Sequence, residues 1–264
     1  MNVELLADLD HDGGWTLLVD GAEQSYVDVN DPTHLEFEYM QHFALVIDTC
    51  LARPAVLHAA HLGGGALTMP RWIATTRPGS SQVVVESSRD VLNAIGPLGS
   101  IADCAVEERD ARAALWDLAR NSYDLVIWDL YAGPRAVTEM LGLDVLTQLR
   151  SVVRPNGLVL LNVSDVAPFD IVRPVVAGLR QTFADVVLLA EPSTIRGRRS
   201  GNCVLVASPA ALPVARITRS AAAAPTRARV IGSDALVTFI GDAVPPTLES
   251  PLPAPDEATG RAFL

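Results

Sequence analysis

The sequence predicts a doubly wound, Rossmann-like α/β fold, with a mostly parallel sheet that ends in an antiparallel hairpin and follows a small N-terminal β segment. Between residues 53 and 208, short apolar runs alternate with segments of helical periodicity, as is typical of βαβ units. Hydrophobic residues make up 49% of the chain, which suits strands buried on both faces. Only a polar loop separates the last two apolar runs, so we expect them to pair as an antiparallel hairpin at one edge of the sheet.

Composition and periodicity divide the chain into three parts. Residues 1–52 are predicted to form an acidic β hairpin and a helix, residues 53–208 the Rossmann-like domain, and residues 209–264 a C-terminal extension. In the extension, residues 230–240 are predicted to form one packed helix. The Pro-rich segment 247–255 is predicted to be extended.

In the N-terminal part, β-like runs at 15–19 and 24–29 flank an Asp-Gly turn, which is a strong hairpin signal. A helix over 35–51 follows, because apolar residues recur there at helical spacing. Asp31 or Thr33 is the expected N-cap, since both side chains can accept from a free N–H of the first turn.

The Rossmann-like part contains the alternating elements. The predicted strands are 55–62, 82–85, 101–106, 124–129, 158–163, 186–190 and 203–207. The predicted helices are 67–76, 89–95, 111–120, most of 136–153, and 169–183.

Composition and charge exclude several classes of function. The chain has no lysine, which excludes Schiff-base chemistry and a P-loop lysine. The net charge is −11, and the first 50 residues carry eleven acidic and no basic residues. Such a surface repels nucleic acid and anionic membranes and attracts a cationic partner. The charge therefore indicates either a cationic small-molecule partner such as an amine or simply solvated acidic loops.

Location and metal content follow from the same inspection. No apolar run reaches the roughly 18–20 residues that cross a bilayer, and the acidic N-terminus lacks the basic start of a secretory signal, so a cytoplasmic protein is expected. Cys50, Cys104 and Cys203 show no metal-ligand spacing. His58 and His61 face opposite sides of a strand, so they are predicted to be core or rim residues, and no metal is expected.

A glycine loop gives the sharpest local signal. Gly63, Gly64 and Gly65 lie between a predicted strand and a predicted helix, where glycines let the backbone approach a ligand and the helix offers free N–H groups. Glu86 ends the next strand, at the position from which an acid takes the two hydroxyls of a ribose.

Acidic residues also follow the third and fourth strands. Asp110 and Ala111 come after the third, where an aspartate can accept from an adenine amino group. Asp129 ends the fourth, at the carboxyl edge where open α/β sheets bind ligands. Together with the glycine loop, these residues predict a nucleoside site. Tyr131 is expected to stack on or hydrogen-bond a substrate there, and Ser164 and Asp165 could also face the pocket.

These features resemble the spermidine synthase (aminopropyltransferase) family, which has a class I methyltransferase-like fold. The resemblance covers roughly residues 15–207. It rests on the run 17–24 with its Asp-Gly-x-x-Gln turn, the helix with Glu38 and His42, the glycine loop, Glu86, Asp110-Ala111, and the run 123–129.

The resemblance implies a specific reaction. Decarboxylated S-adenosylmethionine would bind with its ribose on Glu86 and its adenine near Asp110 and Ala111. Gln24 would approach the nucleoside and amine pocket, and Asp129 would orient or deprotonate the attacking amine. Glu36 and Glu38 are the expected substrate-binding residues. The family also implies a homodimer or homotetramer.

The sequence departs from the family pattern at four positions where the family has a carboxylate or a tyrosine, and Leu67 and Thr68 replace the last two glycines of the loop. The glycine loop continues with Ala66 in place of an aspartate that holds the aminopropyl ammonium, and Ser88 replaces an acid two residues after the ribose-binding glutamate. Ala132 replaces the second carboxylate of the Asp-x-x-Asp motif, and Glu36 stands in the place of the substrate-side tyrosine.

Three functions follow from this pattern. The leading hypothesis is transfer of an aminopropyl-type group from decarboxylated S-adenosylmethionine to an amine. Because Ala66 removes a carboxylate suited to that donor, methyl transfer from intact S-adenosylmethionine is the second. A nucleoside-binding homologue without turnover is the third, because the paired aspartate motif is incomplete.

Overall fold

The computed structural model describes residues 1–51, 55–132 and 135–253. Its strands are β1 (Val3–Ala7), β2 (Gly14–Val19), β3 (Ala22–Asp28), β4 (His58–Leu62), β5 (Ser81–Glu86), β6 (Cys104–Glu108), β7 (Tyr123–Trp128), β8 (Tyr131–Ala132), β9 (Arg135–Ala136), β10 (Val153–Asp165), β11 (Asp185–Ala190), β12 (Gly201–Ser208) and β13 (Arg229–Gly232). Its α-helices are α1 (Glu38–Cys50), α2 (Thr68–Thr76), α3 (Arg89–Ile95), α4 (Ala111–Asp117), α5 (Leu143–Val152), α6 (Val172–Thr182), α7 (Pro192–Ile195), α8 (Val214–Ala223) and α9 (Ser233–Ile240).

The central sheet confirms the predicted fold class. Its strand order is β13-β11-β12-β10-β7-β4-β5-β6. The neighbouring strands β6, β5, β4, β7 and β10 pair in parallel. The pairs β10–β12, β12–β11 and β11–β13 are antiparallel. The chain leaves β4 toward β5 and β6 and then returns to β7 on the other side of β4. The carboxyl ends of β4 and β7 therefore flank a topological switch point, where sheets of this kind bind ligands.

Apolar helices cover both faces of this sheet. One buried cluster joins the sheet to α4, α5, α6 and α9, and a second joins the opposite face to α1, α2 and α8. A third cluster packs the N-terminal sheet of β1, β2 and β3 against α3. No helix in the described parts of the chain is long and apolar enough to span a bilayer.

The predicted N-terminal hairpin is confirmed as β2 and β3, and the structure adds β1 at its side. The predicted helix start is wrong, because α1 begins at Glu38 with Phe37 as N-cap. The Asp31 carboxylate accepts from the backbone N–H and the hydroxyl of Thr33, which closes a local turn and leaves neither side chain available to cap the helix.

Two other predictions in the Rossmann-like part need correction. The third strand is three residues later than expected, because Asp103 turns the chain at φ +54° before β6. The segment predicted to be mostly helical begins with β9 and a 3₁₀ turn (Thr138–Leu141), and α5 starts only after the extended Gly142.

The C-terminal extension also differs from the prediction. The first residues of the segment predicted as one helix form β13, because Val230 and Ile231 pair with Leu189 and Leu188 of β11. The hairpin of β11 and β12 is confirmed, but β13 covers it, so its predicted position at the sheet edge is wrong. The helix α8 was not predicted. Residues 247–253 contain no helix or strand, and residues 254–255 lie outside the described residues.

Thr68 links the start of α2 to the N-terminal sheet through side-chain hydrogen bonds to β3. Its hydroxyl donates to the Tyr26 carbonyl at 2.7 Å and lies 3.1 Å from the Ser25 hydroxyl, and its side chain is buried. A buried carbonyl that loses its donor costs about 1–3 kcal/mol. This bond therefore helps to hold β3 beside the glycine loop.

We expect Thr68→Val to lower the free energy of unfolding by about 1–3 kcal/mol. Thr76→Val is the control, because the Thr76 hydroxyl bonds the Trp72 carbonyl of its own helix and has no other partner among the described residues. We expect a change within about 0.5 kcal/mol. Urea unfolding measures both. Equal effects would show that the N-terminal sheet is held by apolar contacts alone.

Candidate functional site

A cavity of about 550 Å³ lies at the carboxyl ends of β4, β5 and β7. Its walls come from the central sheet, from β3 and α1, and from the first turns of α2 and α3. The lining residues that the following paragraphs use are Gln24, Tyr39, His61, Gly63, Gly64, Gly65, Glu86, Asp90, Ala111, Asp129, Tyr131 and Asn162.

The glycine loop brings β4 into contact with β7 and β5. Gly63 has φ +99°, and a Cβ atom there would lie 2.1 Å from the Asp129 carbonyl oxygen. Gly65 also has a positive φ of +48°. Only glycine meets both the backbone angle and the close approach at position 63. The glycine at position 63 is therefore required by the close approach of the backbone at the end of β7, whether or not a ligand binds.

Glu86 points toward this loop from the end of β5. One carboxylate oxygen accepts from the Gly64 N–H at 3.1 Å, and the other accepts from the Ser88 N–H at 2.8 Å. The residue is half-buried and lines the cavity. Two fixed carboxylate oxygens at a strand end form a rigid acceptor pair for vicinal hydroxyls.

Asp129 is held by two neutral donors from other elements. The Tyr39 hydroxyl of α1 donates to one oxygen at 2.9 Å, and the Asn162 amide of β10 donates to the other at 3.0 Å. Burial raises the pKa of Asp129 to about 6, although both hydrogen bonds lower it. A carboxylate with such a pKa can accept a proton near neutral pH.

Asn162 adds a second acceptor beside this carboxylate. The residue is 1% exposed, and its Oδ1 atom has no hydrogen-bond partner among the described residues. Buried amide oxygens are normally paired. An N–H donor of a bound molecule would satisfy Oδ1 next to the Asp129 carboxylate, so this end of the cavity is suited to an amine.

Tyr131 lines the cavity, but its hydroxyl is used by the neighbouring strand. It accepts from the Ser164 N–H at 3.0 Å and donates to the Asn162 carbonyl at 3.4 Å. Burial raises the pKa of this hydroxyl. Its ring, rather than its hydroxyl, is therefore the part suited to contact a substrate.

Comparison with known proteins identifies the fold. No family model matches the sequence, and no curated protein matches it significantly. Among solved structures, a probable spermidine synthase from Corynebacterium glutamicum matches with a TM-score of 0.84 at 25% identity, over 93% of this chain and 92% of that chain. The chain has a spermidine-synthase-like class I methyltransferase fold.

Two further solved structures share this fold. A spermidine synthase in complex with the transition-state analogue AdoDATO has a TM-score of 0.56 at 12% identity, over 90% of this chain and 80% of that chain. Human methyltransferase-like protein 13 in complex with SAH has a TM-score of 0.55 at 19% identity, over 76% of this chain and 89% of that chain. The fold of this chain is thus shared by a spermidine synthase and by a methyltransferase-like protein.

The structure places most of the predicted cofactor residues together. Gln24, the three loop glycines, Glu86 and Ala111 all line the cavity. Asp110 does not line it, and its carboxylate accepts from the Ala113 N–H at 2.9 Å as the N-cap of α4. Its proposed contact with adenine stays a prediction.

The predicted substrate residues lie in a neighbouring cavity. Glu36 and Glu38 are exposed and line a cavity of about 320 Å³. This cavity shares Glu23, Phe37 and Tyr39 with the larger one. The two glutamates are therefore adjacent to Asp129's cavity rather than part of it.

Two expectations about the pocket are wrong. Neither Ser164 nor Asp165 lines the larger cavity. The Asp165 carboxylate accepts from the N–H groups of Val166, Ile171 and Val172 and so fixes the start of α6.

Among the described residues, no group of three His, Cys, Asp or Glu side chains could hold a metal ion.

Ala66, which departs from the family pattern, is fully buried in the apolar cluster between the N-terminal sheet and α3. It does not line the cavity. Asp90 does line it, at the start of α3. The carboxylates that do so are Glu23, Glu86, Asp90 and Asp129.

Sequence reasoning missed Tyr39 and Asn162 as site residues. Tyr39 recurs at helical spacing with the apolar residues of the helix predicted over 35–51, so its hydroxyl gives no separate signal. Asn162 was a detectable signal, because it is a polar residue inside the otherwise apolar run 158–163. Tyr39 lies three residues after Glu36, which stands in the place of the family's substrate-side tyrosine.

We expect Gly63→Ala to destabilise the protein more than Gly21→Ala. Both positions have positive φ, which costs an alanine about 1–2 kcal/mol. A methyl group at Gly63 also overlaps the Asp129 carbonyl, whereas at Gly21 it meets nothing within 4 Å. The overlap should cost about 1–3 kcal/mol more. Thermal unfolding measures both, and equal losses would contradict the close approach of β4 and β7.

Proposed function

We propose that the chain binds S-adenosylmethionine or its decarboxylated form and transfers an aminopropyl-type group to an amine. The observation that carries this proposal is the Asp129 carboxylate, held by Tyr39 and Asn162 in the same cavity as Glu86 and the glycine loop. An amine acceptor and an adenosyl donor need these two different environments side by side.

The donor would bind at the β5 side of the cavity. Glu86 would accept from both ribose hydroxyls, and the adenine would lie toward Asp110 and Ala111. The Gly63–Gly65 loop leaves room for the backbone to approach the nucleoside. The solved complexes with SAH and AdoDATO show that proteins of this fold bind adenosyl compounds, which supports the assignment.

The acceptor would bind at the β7 side. Asp129 would accept one N–H of the amine, and Asn162 Oδ1 would accept another. The amine lone pair would then attack the carbon next to the sulfonium. A carbon–nitrogen bond forms, the carbon–sulfur bond breaks with its electron pair moving to sulfur, and methylthioadenosine leaves. The amine proton passes to Asp129 and then to water. Alignment and proton acceptance are the protein's contributions.

Methyl transfer is a second candidate function. The position of Ala66 favours it, because no carboxylate from the end of the glycine loop faces the cavity to neutralise a decarboxylated donor. The same attack on the methyl carbon would release S-adenosylhomocysteine. The relative affinities for S-adenosylmethionine and its decarboxylated form therefore distinguish methyl transfer from aminopropyl transfer.

Titration calorimetry with S-adenosylmethionine, its decarboxylated form and methylthioadenosine tests the proposal, with mass spectrometry of reactions that contain putrescine. We expect all three compounds to bind and the decarboxylated donor to give an aminopropylated amine. Preference for intact S-adenosylmethionine with a methylated product would favour the second function. Absence of binding by all three compounds would contradict both.

Asp129→Asn should lower turnover by about 10²-fold or more, because the proton acceptor is lost. Methylthioadenosine should bind this variant as it binds the wild type. The control is Asp117→Asn, because the Asp117 side chain is 70% exposed and pairs with Arg109 outside the cavity. Turnover that survives in Asp129→Asn would show that Asp129 has no catalytic role.

Acceptor binding should depend on pH. The raised pKa of Asp129, about 6, means that the carboxylate is ionised above this pH and protonated below it. Putrescine should therefore bind the protein saturated with methylthioadenosine more weakly as pH falls through about 6. Calorimetry between about pH 5 and 7.5 measures this loss, and Asp129→Asn should remove it. A wild-type affinity that stays constant over this range would contradict the assignment.

A further inference from the structure

His61 lies at the floor of the cavity, in the middle of the sheet. It belongs to β4 and pairs in register with Val84 of β5 and Ile127 of β7, one layer below the level of Gly63 and Asp129. The side chain lines the cavity and is only 2% exposed. A polar ring here replaces apolar contacts that a Val or Leu would make, which calls for a physical reason.

The hydrogen bonds around His61 fix its tautomer. The Pro70 carbonyl can only accept, so the Gln82 amide nitrogen faces it at 3.0 Å and the Gln82 carbonyl oxygen faces His61 Nε2 at 2.9 Å. The proton of the neutral ring is therefore on Nε2. Burial lowers the pKa of His61 to about 4, so the ring is neutral at pH 7.

His61 thus has one nitrogen left for a ligand. Nδ1 carries a lone pair, and none of the described residues supplies it with a hydrogen bond. A neutral imidazole nitrogen of this kind accepts from an N–H or O–H group and does not attract an anion. Its partner must be a donor that reaches the floor of the cavity.

The strand order shows which part of a donor molecule lies above His61. Glu86 is at the end of β5 and Asp129 at the end of β7, and β4 runs between them. With the ribose on Glu86 and the acceptor amine on Asp129, the sulfonium must lie between the two strands, above β4. The aliphatic chain of the donor is attached to this sulfur and ends in an ammonium group.

We propose that His61 Nδ1 accepts a hydrogen bond from the ammonium group at the end of the donor's aliphatic chain. This inference rests on the proposed function. It assigns a binding role to a residue other than the loop glycines, Glu86 and Asp129. It also supplies a ligand contact in a chain where Ala66 offers none. Glu23 and Asp90, which also line the cavity, are exposed to solvent, whereas His61 is a buried acceptor at its floor.

Two variants separate the two nitrogens of the ring. His61→Gln keeps a polar group near the Nε2 position and has none near Nδ1, whereas His61→Asn keeps one near Nδ1 and has none near Nε2. We expect His61→Gln to weaken S-adenosylmethionine and its decarboxylated form by about 10- to 100-fold. His61→Asn should retain most of the affinity.

Methylthioadenosine is the comparison ligand, because it has the same nucleoside with a neutral thioether sulfur and has neither the aliphatic chain nor its ammonium group. Its affinity should be unchanged in both variants. Calorimetry with the three compounds measures the effects, and thermal unfolding checks that each variant is folded. Equal weakening of all three compounds would show that His61 only supports the cavity wall and would overturn the proposal, as would unchanged affinities in His61→Gln.

The wild-type protein provides an independent test. In protein labelled with ¹⁵N-histidine, the Nδ1 resonance of His61 should shift when S-adenosylmethionine binds and stay in place when methylthioadenosine binds. Equal shifts with both ligands would overturn the assignment even if the variants do not fold. If none of the adenosyl compounds binds the wild type, the proposed function itself fails, and this inference fails with it.

Discussion

The two hydrogen bonds to Asp129 are the interaction on which the site depends. Removing a carboxylate from water is costly unless donors replace the solvent. Tyr39 of α1 donates to one carboxylate oxygen and Asn162 of β10 donates to the other. Because both donors are neutral, they hold the carboxylate in place without neutralising its charge. The pKa of Asp129 is therefore raised by burial rather than lowered by a cation, and the charge stays available to a cationic ligand.

The rest of the fold places these groups. Phe43, Val46 and Ile47 of α1 are fully buried in the cluster that packs on the sheet, and this packing sets the position of Tyr39 at the first turn. The pairing of β10 with β7 brings Leu161 beside Trp128, so that Asn162 follows beside Asp129. The chain crosses from one half of the sheet to the other at this point, which is why residues distant in sequence meet there.

The sequence predicts the sheet well because its strands are buried on both faces and its helices have one apolar face, so that periodicity reports the fold directly. It also brings out the residues at strand ends, since glycine and acidic residues contrast with apolar runs. It does not predict elements that depend on distant pairing. The edge strand β13 exists because β11 offers an unpaired edge. The start of α1 differs for a local reason, because the Asp31 side chain closes a turn with Thr33 and does not cap the helix. Tyr39 and Asn162 were missed because each belongs to an element whose core-facing side is otherwise apolar, whereas the prediction of His61 as a core or rim residue is confirmed by its burial.

A crystal structure of the protein with methylthioadenosine and putrescine tests the account most directly. The account predicts both ribose hydroxyls within hydrogen-bond distance of Glu86 and an amine nitrogen between Asp129 and Asn162 Oδ1. A nucleoside bound elsewhere, or an amine that contacts neither of these two residues, would contradict it.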